Sequence, residues 1–189
     1  MFMQDISIIR RDIDVNRIFT EIDNFILSLD DFVDQICIQG THAEMDPYVG
    51  SRSLIDLMPM SPFYNNKRDQ VGATNSVDNT RYRELEAKFN VFLFPELDYT
   101  NSVIEELGMV RTRVMHMQPK TCLSYHQDPT KRIHIPIDTN ENCFLLIENV
   151  AYHIPDDGSV YLVDTTKHHT AVNASRDTRT HIMGTTWMT

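Results

Sequence analysis

The stretch VRTRVMHMQPKTCLSYHQDPTKRIHIPI, residues 110–137, decides the architecture. Polar and apolar residues alternate through it in short runs, and Gln118-Pro119-Lys120 and Asp128-Pro129 interrupt the alternation, which is the pattern of short strands joined by turns. Working outward toward the C-terminus, the same rhythm predicts strands at residues 143–148, 151–154, 159–163, 169–173 and 179–187, separated by turn formers such as Asp138-Thr139-Asn140 and Asp156-Asp157-Gly158. With 110–117, 122–127 and 132–137 these make eight short strands in about eighty residues, which is barrel or sandwich spacing and predicts a jelly roll.

Toward the N-terminus the period changes. Over residues 14–32, Val15, Ile18, Phe19, Ile22, Phe25, Ile26 and Leu29 recur at steps of three and four, as on an amphipathic helix. A short strand is expected around Ile36 and Ile38, a helical turn near 53–58, and helices at 81–89 and 96–107, the last preceded by Pro95 and closed by Gly108. Residues 61–80 are rich in turn formers and poor in apolar side chains, so they read as a long loop that could serve as a lid. The expected fold is mainly β with N-terminal helices (α+β). One domain spans 1–189, with a helical layer and variable loops over 1–108 and a double-stranded β-helix, a cupin-like jelly roll, over 109–189 carrying any metal site.

Composition excludes several functions. The 189 residues are 41% hydrophobic and 23% charged, with no apolar run long enough for a membrane span, and the N-terminus lacks the basic segment of a secretory leader. A cytoplasmic location is therefore expected. The net charge of −10 is concentrated in residues 1–100, with 17 acids against 9 bases, so a nucleic-acid backbone is excluded as the main partner, as is a membrane. Cys37, Cys122 and Cys143 have neither the number nor the spacing of a disulfide framework or a thiolate zinc site, and are expected to be small buried hydrophobes. Six of the eight histidines fall in the last 64 residues, which directs attention to imidazole chemistry there.

Within that region His126-Gln127-Asp128 puts an imidazole and a carboxylate at i and i+2, on one face of a strand. A histidine from a distant strand, His168 or His169, would complete a two-histidine, one-carboxylate set, which leaves open positions on an octahedral iron. Arg179, ten residues beyond His169, is suited to bidentate pairing with a carboxylate. In Lys131-Arg132-Ile133-His134-Ile135-Pro136-Ile137 the isoleucines share one face, and Arg132, His134 and Pro136 share the other, which is either solvated or the wall of an anion pocket. His42, His116, His153 and His181 have no matched partners and read as structural or exposed. The methionines read as core filler, and Trp187 as an anchor for the last strand.

Taken in order, Val114-Met115-His116-Met117-Gln118-Pro119, His126-Gln127-Asp128-Pro129, the 132–137 strand, Gly158-Ser159-Val160-Tyr161-Leu162-Val163-Asp164 and His169 through Arg179 resemble the aspartyl/asparaginyl β-hydroxylase family of iron(II)- and 2-oxoglutarate-dependent oxygenases. The resemblance implies that His126, Asp128 and His169 are catalytic iron ligands, with His169 chosen over His168 because the family's histidine precedes an Asn by four, here Asn173. It implies that Arg179 and His134 bind the 2-oxoglutarate cosubstrate and that Arg132 meets an acidic group of the prime substrate. It also implies the activity of a dioxygenase: O2 is consumed, 2-oxoglutarate becomes succinate and CO2, and an amino acid, free or within a peptide or protein, is hydroxylated. Two other readings compete. One is a cupin-like metal-binding or interaction module without catalysis. The other is a cupin-type metalloenzyme that does not use 2-oxoglutarate, for which Arg179 would be dispensable.

Overall fold

A computed structural model describes residues 5–29, 34–54, 57 and 79–186. The chain runs through β1 (Ile6–Arg10), α1 (Val15–Ile22) with a π-helical continuation at Asp23–Leu27, β2 (Gln35–Cys37), β3 (Gln39–Gly40), α2 (Asn79–Ala87), β4 (Val91–Phe92), α3 (Asp98–Glu106) and β5 (Met109–Met117). It continues with β6 (Thr121–Cys122), β7 (Arg132–Asp138), β8 (Cys143–Ile147), β9 (Val150–Tyr152), β10 (Val160–Val163), β11 (His169–Asn173) and β12 (Arg179–Thr186). The strands foreseen after Gly108 thus appear in order as β5 to β12. β1 was not foreseen; it pairs with β10 at the edge of the larger sheet. The expected lid at 61–80 and Trp187 lie outside the described residues, apart from the start of α2.

The helices form where their ends are capped. Asp14 accepts the Arg17 N–H at 3.0 Å and starts α1, a bond worth about 1 kcal/mol. Ile18, Ile22 and Ile26, four apart, are fully buried. α3 has no cap from its own sequence, and Glu21 of α1 supplies one: its carboxylate accepts the backbone N–H groups of Tyr99 at 3.0 Å and Thr100 at 2.9 Å. A negative charge at a helix N-terminus meets the positive end of the dipole, so this contact fixes one helix on the other.

The strands form two main antiparallel sheets, a six-stranded one in the order β1-β10-β7-β12-β5-β2 and a four-stranded one in the order β6-β11-β8-β9, beside a small β3-β4 ribbon. Alternation sorts the larger sheet's side chains. Ile133, Ile135 and Ile137, with Val114 and Ile182, pack with the α1 isoleucines and with Val103 and Ile104 of α3. On the other face, Met117, Tyr161 and Val163 pack against Leu145, Ile147 and Ala171 of the smaller sheet. The architecture is mainly β with a few helices, two sheets in contact rather than a closed barrel. No helix among the described residues is long and apolar enough to cross a membrane.

One irregularity matters for the site. Val110 pairs with Thr185 and Arg113 with Met183, so β5 carries an extra residue relative to β12. Arg111 takes it up in a left-handed conformation, φ 50°. Such backbone costs roughly 1–3 kcal/mol and persists only where the surroundings hold it. Here the guanidinium is held by Glu86, Tyr82 and the Gly50 carbonyl. The bulge also lets Met109 and Val114 reach the same core although they are an odd number of residues apart.

Candidate metal centre and its buried charges

A cleft of about 240 Å³ is lined by side chains of β5, β7, β11 and β12 and the 123–128 segment, with Gln35 of β2, Tyr82 of α2 and Leu145 of β8. The 122–127 strand expected from sequence is shorter than foreseen: after β6 the chain keeps a hydrogen bond from Leu123 N–H to the Ala171 carbonyl at 3.0 Å and an isolated ladder contact between His126 and His169. Their backbones exchange hydrogen bonds, His126 N–H to the His169 carbonyl at 3.0 Å and His169 N–H to the His126 carbonyl at 2.8 Å. The ring centroids consequently lie 4.4 Å apart. Asp128 is anchored in turn by its N–H to the Thr165 carbonyl at 2.8 Å.

His126, Asp128 and His169 each offer a ligand atom, all within 4.8 Å of one another. The Nε2 atoms of His126 and His169 each lie 3.9 Å from an Asp128 carboxylate oxygen. Each Nδ1 is within hydrogen-bond distance of a backbone carbonyl two residues upstream, Ser124 at 2.7 Å and Lys167 at 3.0 Å. A carbonyl can only accept, so each Nδ1 carries the proton and each Nε2 keeps its lone pair toward the centre, the tautomer a metal requires. This donor set fits a divalent metal. His168, the rival ligand, lies just before β11, is exposed and stacks on Tyr125, centroids 5.5 Å apart.

The carboxylate is held ionised. Burial opposes the charge on Asp128, but Arg132 outweighs it through its own charge and a hydrogen bond from Nε at 2.9 Å, and the carboxyl sits well below the usual range. Arg132 also donates from Nη1 to Glu86, a fully buried carboxylate on α2 that accepts from Arg111 at 2.9 Å as well. α2 further grips the 128–130 segment, with Thr130 Oγ1 donating to Glu86 at 3.1 Å and Arg83 Nη2 to the Pro129 carbonyl at 2.9 Å. Arg132 therefore lines the cleft with two of its nitrogens engaged by this protein's own acids.

Arg179 opens β12 at the far end of the cleft, buried. Asn173 explains the interval that marks it in the sequence. Its side-chain amide donates to the carbonyls of Met117 at 3.0 Å and Asp177 at 2.8 Å, and its oxygen accepts the Ser175 N–H at 3.0 Å, which closes the turn that delivers Arg179. Arg179 Nη2 donates to His181 Nδ1 at 3.0 Å, and His134 Nδ1 lies 3.5 Å from the same atom. Burial, with the Arg179 charge, keeps both imidazoles well below their ordinary pKa, so they are neutral.

His181, read from sequence as structural or exposed, thus belongs to the cleft; its place two residues after Arg179 on one strand was the available signal. Arg111, Arg113 and Glu86 were also missed. The first two are signalled by their i, i+2 spacing, whereas Glu86 lies in a helix with no local mark of a role. Cys122 is exposed, unlike the buried Cys37 and Cys143.

A family model described as aspartyl/asparaginyl beta-hydroxylase matches residues 84–189, taking in the donor set, Arg179 and Glu86. No curated protein matches the chain. Because the match spans more than half of the chain and includes the whole cluster, the chain belongs to the aspartyl/asparaginyl β-hydroxylase family, and its activity is of the hydroxylase kind.

Proposed function

We propose that this protein is an Fe(II)- and 2-oxoglutarate-dependent dioxygenase that hydroxylates an amino acid, free or within a peptide or protein. The observation that carries the reading is the pair of histidines whose Nδ1 protons are committed to carbonyls while both Nε2 atoms face the Asp128 carboxylate. In this reading His126, Asp128 and His169 hold the iron, and residues 109–189 form a double-stranded β-helix. When bound, iron and 2-oxoglutarate supply the activation of O2, with the cosubstrate converted to succinate and CO2.

The protein's own part is placement. Arg132 keeps Asp128 anionic and fixes its rotamer, and Glu86 keeps Arg132 in place. Arg179 receives the distal carboxylate of 2-oxoglutarate through its planar fork, with His134 as a further contact. His181 accepts from Arg179 and so steers the guanidinium. Three cysteines without the pattern of a disulfide framework suit a cytoplasmic setting.

An anaerobic titration tests the reading. Fe(II) followed by 2-oxoglutarate should give a weak visible charge-transfer band that needs both additions, and Arg179→Ala should raise the 2-oxoglutarate needed at least tenfold without changing iron affinity. A folded protein that shows no band refutes the proposal, and an Arg179→Ala variant with unaltered requirement favours a metalloenzyme that does not use 2-oxoglutarate.

A further inference from the structure

The turn at residues 164–168 carries the chain from β10 in the larger sheet to β11 in the smaller one. Three of its successive carbonyls accept hydrogen bonds from the donor set and its surroundings. The Thr165 carbonyl accepts the Asp128 N–H at 2.8 Å, the Thr166 carbonyl accepts from Gln127 Nε2 at 2.9 Å, and the Lys167 carbonyl accepts from His169 Nδ1 at 3.0 Å. The turn therefore sets the backbone of one ligand residue and both the ring orientation and the tautomer of another. A metal needs its donors held to within about 0.5 Å, so whatever places this turn also places them.

Two ties to the turn come from the body of the fold. Thr165 Oγ1 donates to the Thr130 carbonyl at 2.7 Å, and the His168 carbonyl accepts the Glu148 N–H at 2.8 Å. A third comes from Asp5, just before β1. Its carbonyl accepts the Asp164 N–H at 2.8 Å, which continues the β1–β10 pairing by one step. Its carboxylate accepts from Lys167 Nζ and, at 2.8 Å, from the Tyr152 hydroxyl of β9. One residue thus joins the edge strand of the larger sheet, the edge strand of the smaller sheet and the turn between them. The same two donors keep the Asp5 carboxyl below its ordinary pKa and so ionised. β1 precedes the residues that the family model matches.

We propose that Asp5 is a positioning residue for the metal centre: through Lys167 and Asp164 it holds the 164–168 turn, and so fixes the His169 imidazole and the Asp128 backbone for a divalent cation. Asp5 acts through the turn and not by contact with the metal. The N-terminal strand is then part of the metal-binding apparatus as well as the edge of a sheet. The proposal rests on the metal reading of the same donor set.

The test is calorimetric titration of the metal-free full chain with Fe(II) in the absence of O2, with a melting curve for each variant. Groups that hydrogen-bond a metal ligand directly contribute about 10–100-fold to metal affinity. Asp5 acts one step further out, so Asp5→Ala and Lys167→Met should each weaken Fe(II) binding about tenfold, the low end of that range. The melting temperature should fall by no more than about 4 °C, as for a partly exposed ion pair. Lys167→Arg keeps the charge that Asp5 meets and should bind Fe(II) nearly as the wild type does. Because both residues act through one contact, the double variant should lose no more than Asp5→Ala alone. Should Asp5→Ala fail to fold, the comparison of Lys167→Met with Lys167→Arg carries the test. The proposal is overturned by unchanged Fe(II) affinity in folded variants, by losses that multiply in the double variant, or by Lys167→Arg binding as weakly as Lys167→Met. It is also overturned by an affinity loss that appears only with a large fall in melting temperature, since Asp5 would then serve stability alone. A folded wild type that binds no Fe(II) removes the metal reading and this inference with it, whereas wild type and variants that bind Fe(II) equally remove this inference only.

Discussion

The two faces of the six-stranded sheet are made by alternate residues of the same strands, yet they are built on opposite principles. The face under α1 and α3 is isoleucine and valine, where each buried side chain contributes about 2 kcal/mol by leaving water. The face toward the smaller sheet carries Arg111, Arg113, Arg132, Arg179, His134 and His181, all buried. Charges taken from water cost more than they return unless partners answer them, so this face is held in place by the first. The difference teaches that stability and chemistry in this fold are separated by side-chain parity, a single residue step along a strand.

The largest expected effect is on the polar face. Glu86→Ala leaves Arg111 and Arg132 without their shared carboxylate, and unfolding in urea should show a loss of about 3–5 kcal/mol; a loss below about 1 kcal/mol would mean that the charges are not balanced as described. On the apolar face, Ile135→Ala should cost about 2–4 kcal/mol through transfer and cavity terms, with the Fe(II)/2-oxoglutarate band retained. Loss of that band in well-folded Ile135→Ala would break the separation of the two faces. Asp128→Ala should do the reverse, lowering iron-dependent turnover by about 100-fold or more with little change in melting temperature, since Arg132 still has Glu86.

The smallest effect is on acid stability. Burial holds His134 and His181 well below their ordinary pKa, so the unfolded chain takes up protons first, near pH 6.5. Their contribution is therefore complete above about pH 6.5 and is lost as pH falls below it, by up to about 1.4 kcal/mol per pH unit for each group. Urea unfolding of metal-free protein at pH 7 and pH 5.5 should show this decline. The carboxyl groups of Asp128 and Glu86, depressed in the fold, act in a separate window below about pH 4. Equal stability at pH 7 and pH 5.5 would show that the two imidazoles are solvated.

How much was legible follows from the range of each interaction. Strand order from β5 to β12 could be read because alternation and turn residues are local, and the isoleucines of β7 declared their face by parity alone. His126, Asp128 and Arg179 were legible because short spacings and a recognisable order preserve them. The role of Glu86 was not, because nothing within its helix distinguishes a carboxylate bound for solvent from one buried between two arginines. β1 was not, because an edge strand needs only one neighbour and a weak pattern suffices. The helical boundary expected at 32 fell short, with the helical backbone ending at Leu27.

The sequence by itself determined the mainly β framework, the helical cover and the donor residues, since each depends on periodicity or on residues close in the chain. Only the tertiary structure decided that His181 joins the cleft, and that Glu86 answers two arginines while Arg113 has no carboxylate partner among the described residues. Those outcomes depend on which backbone pairs with which and on the bulge at Arg111. Burial then turns that pairing into chemistry, because a charge out of water is governed by the few groups that touch it and not by its neighbours in sequence.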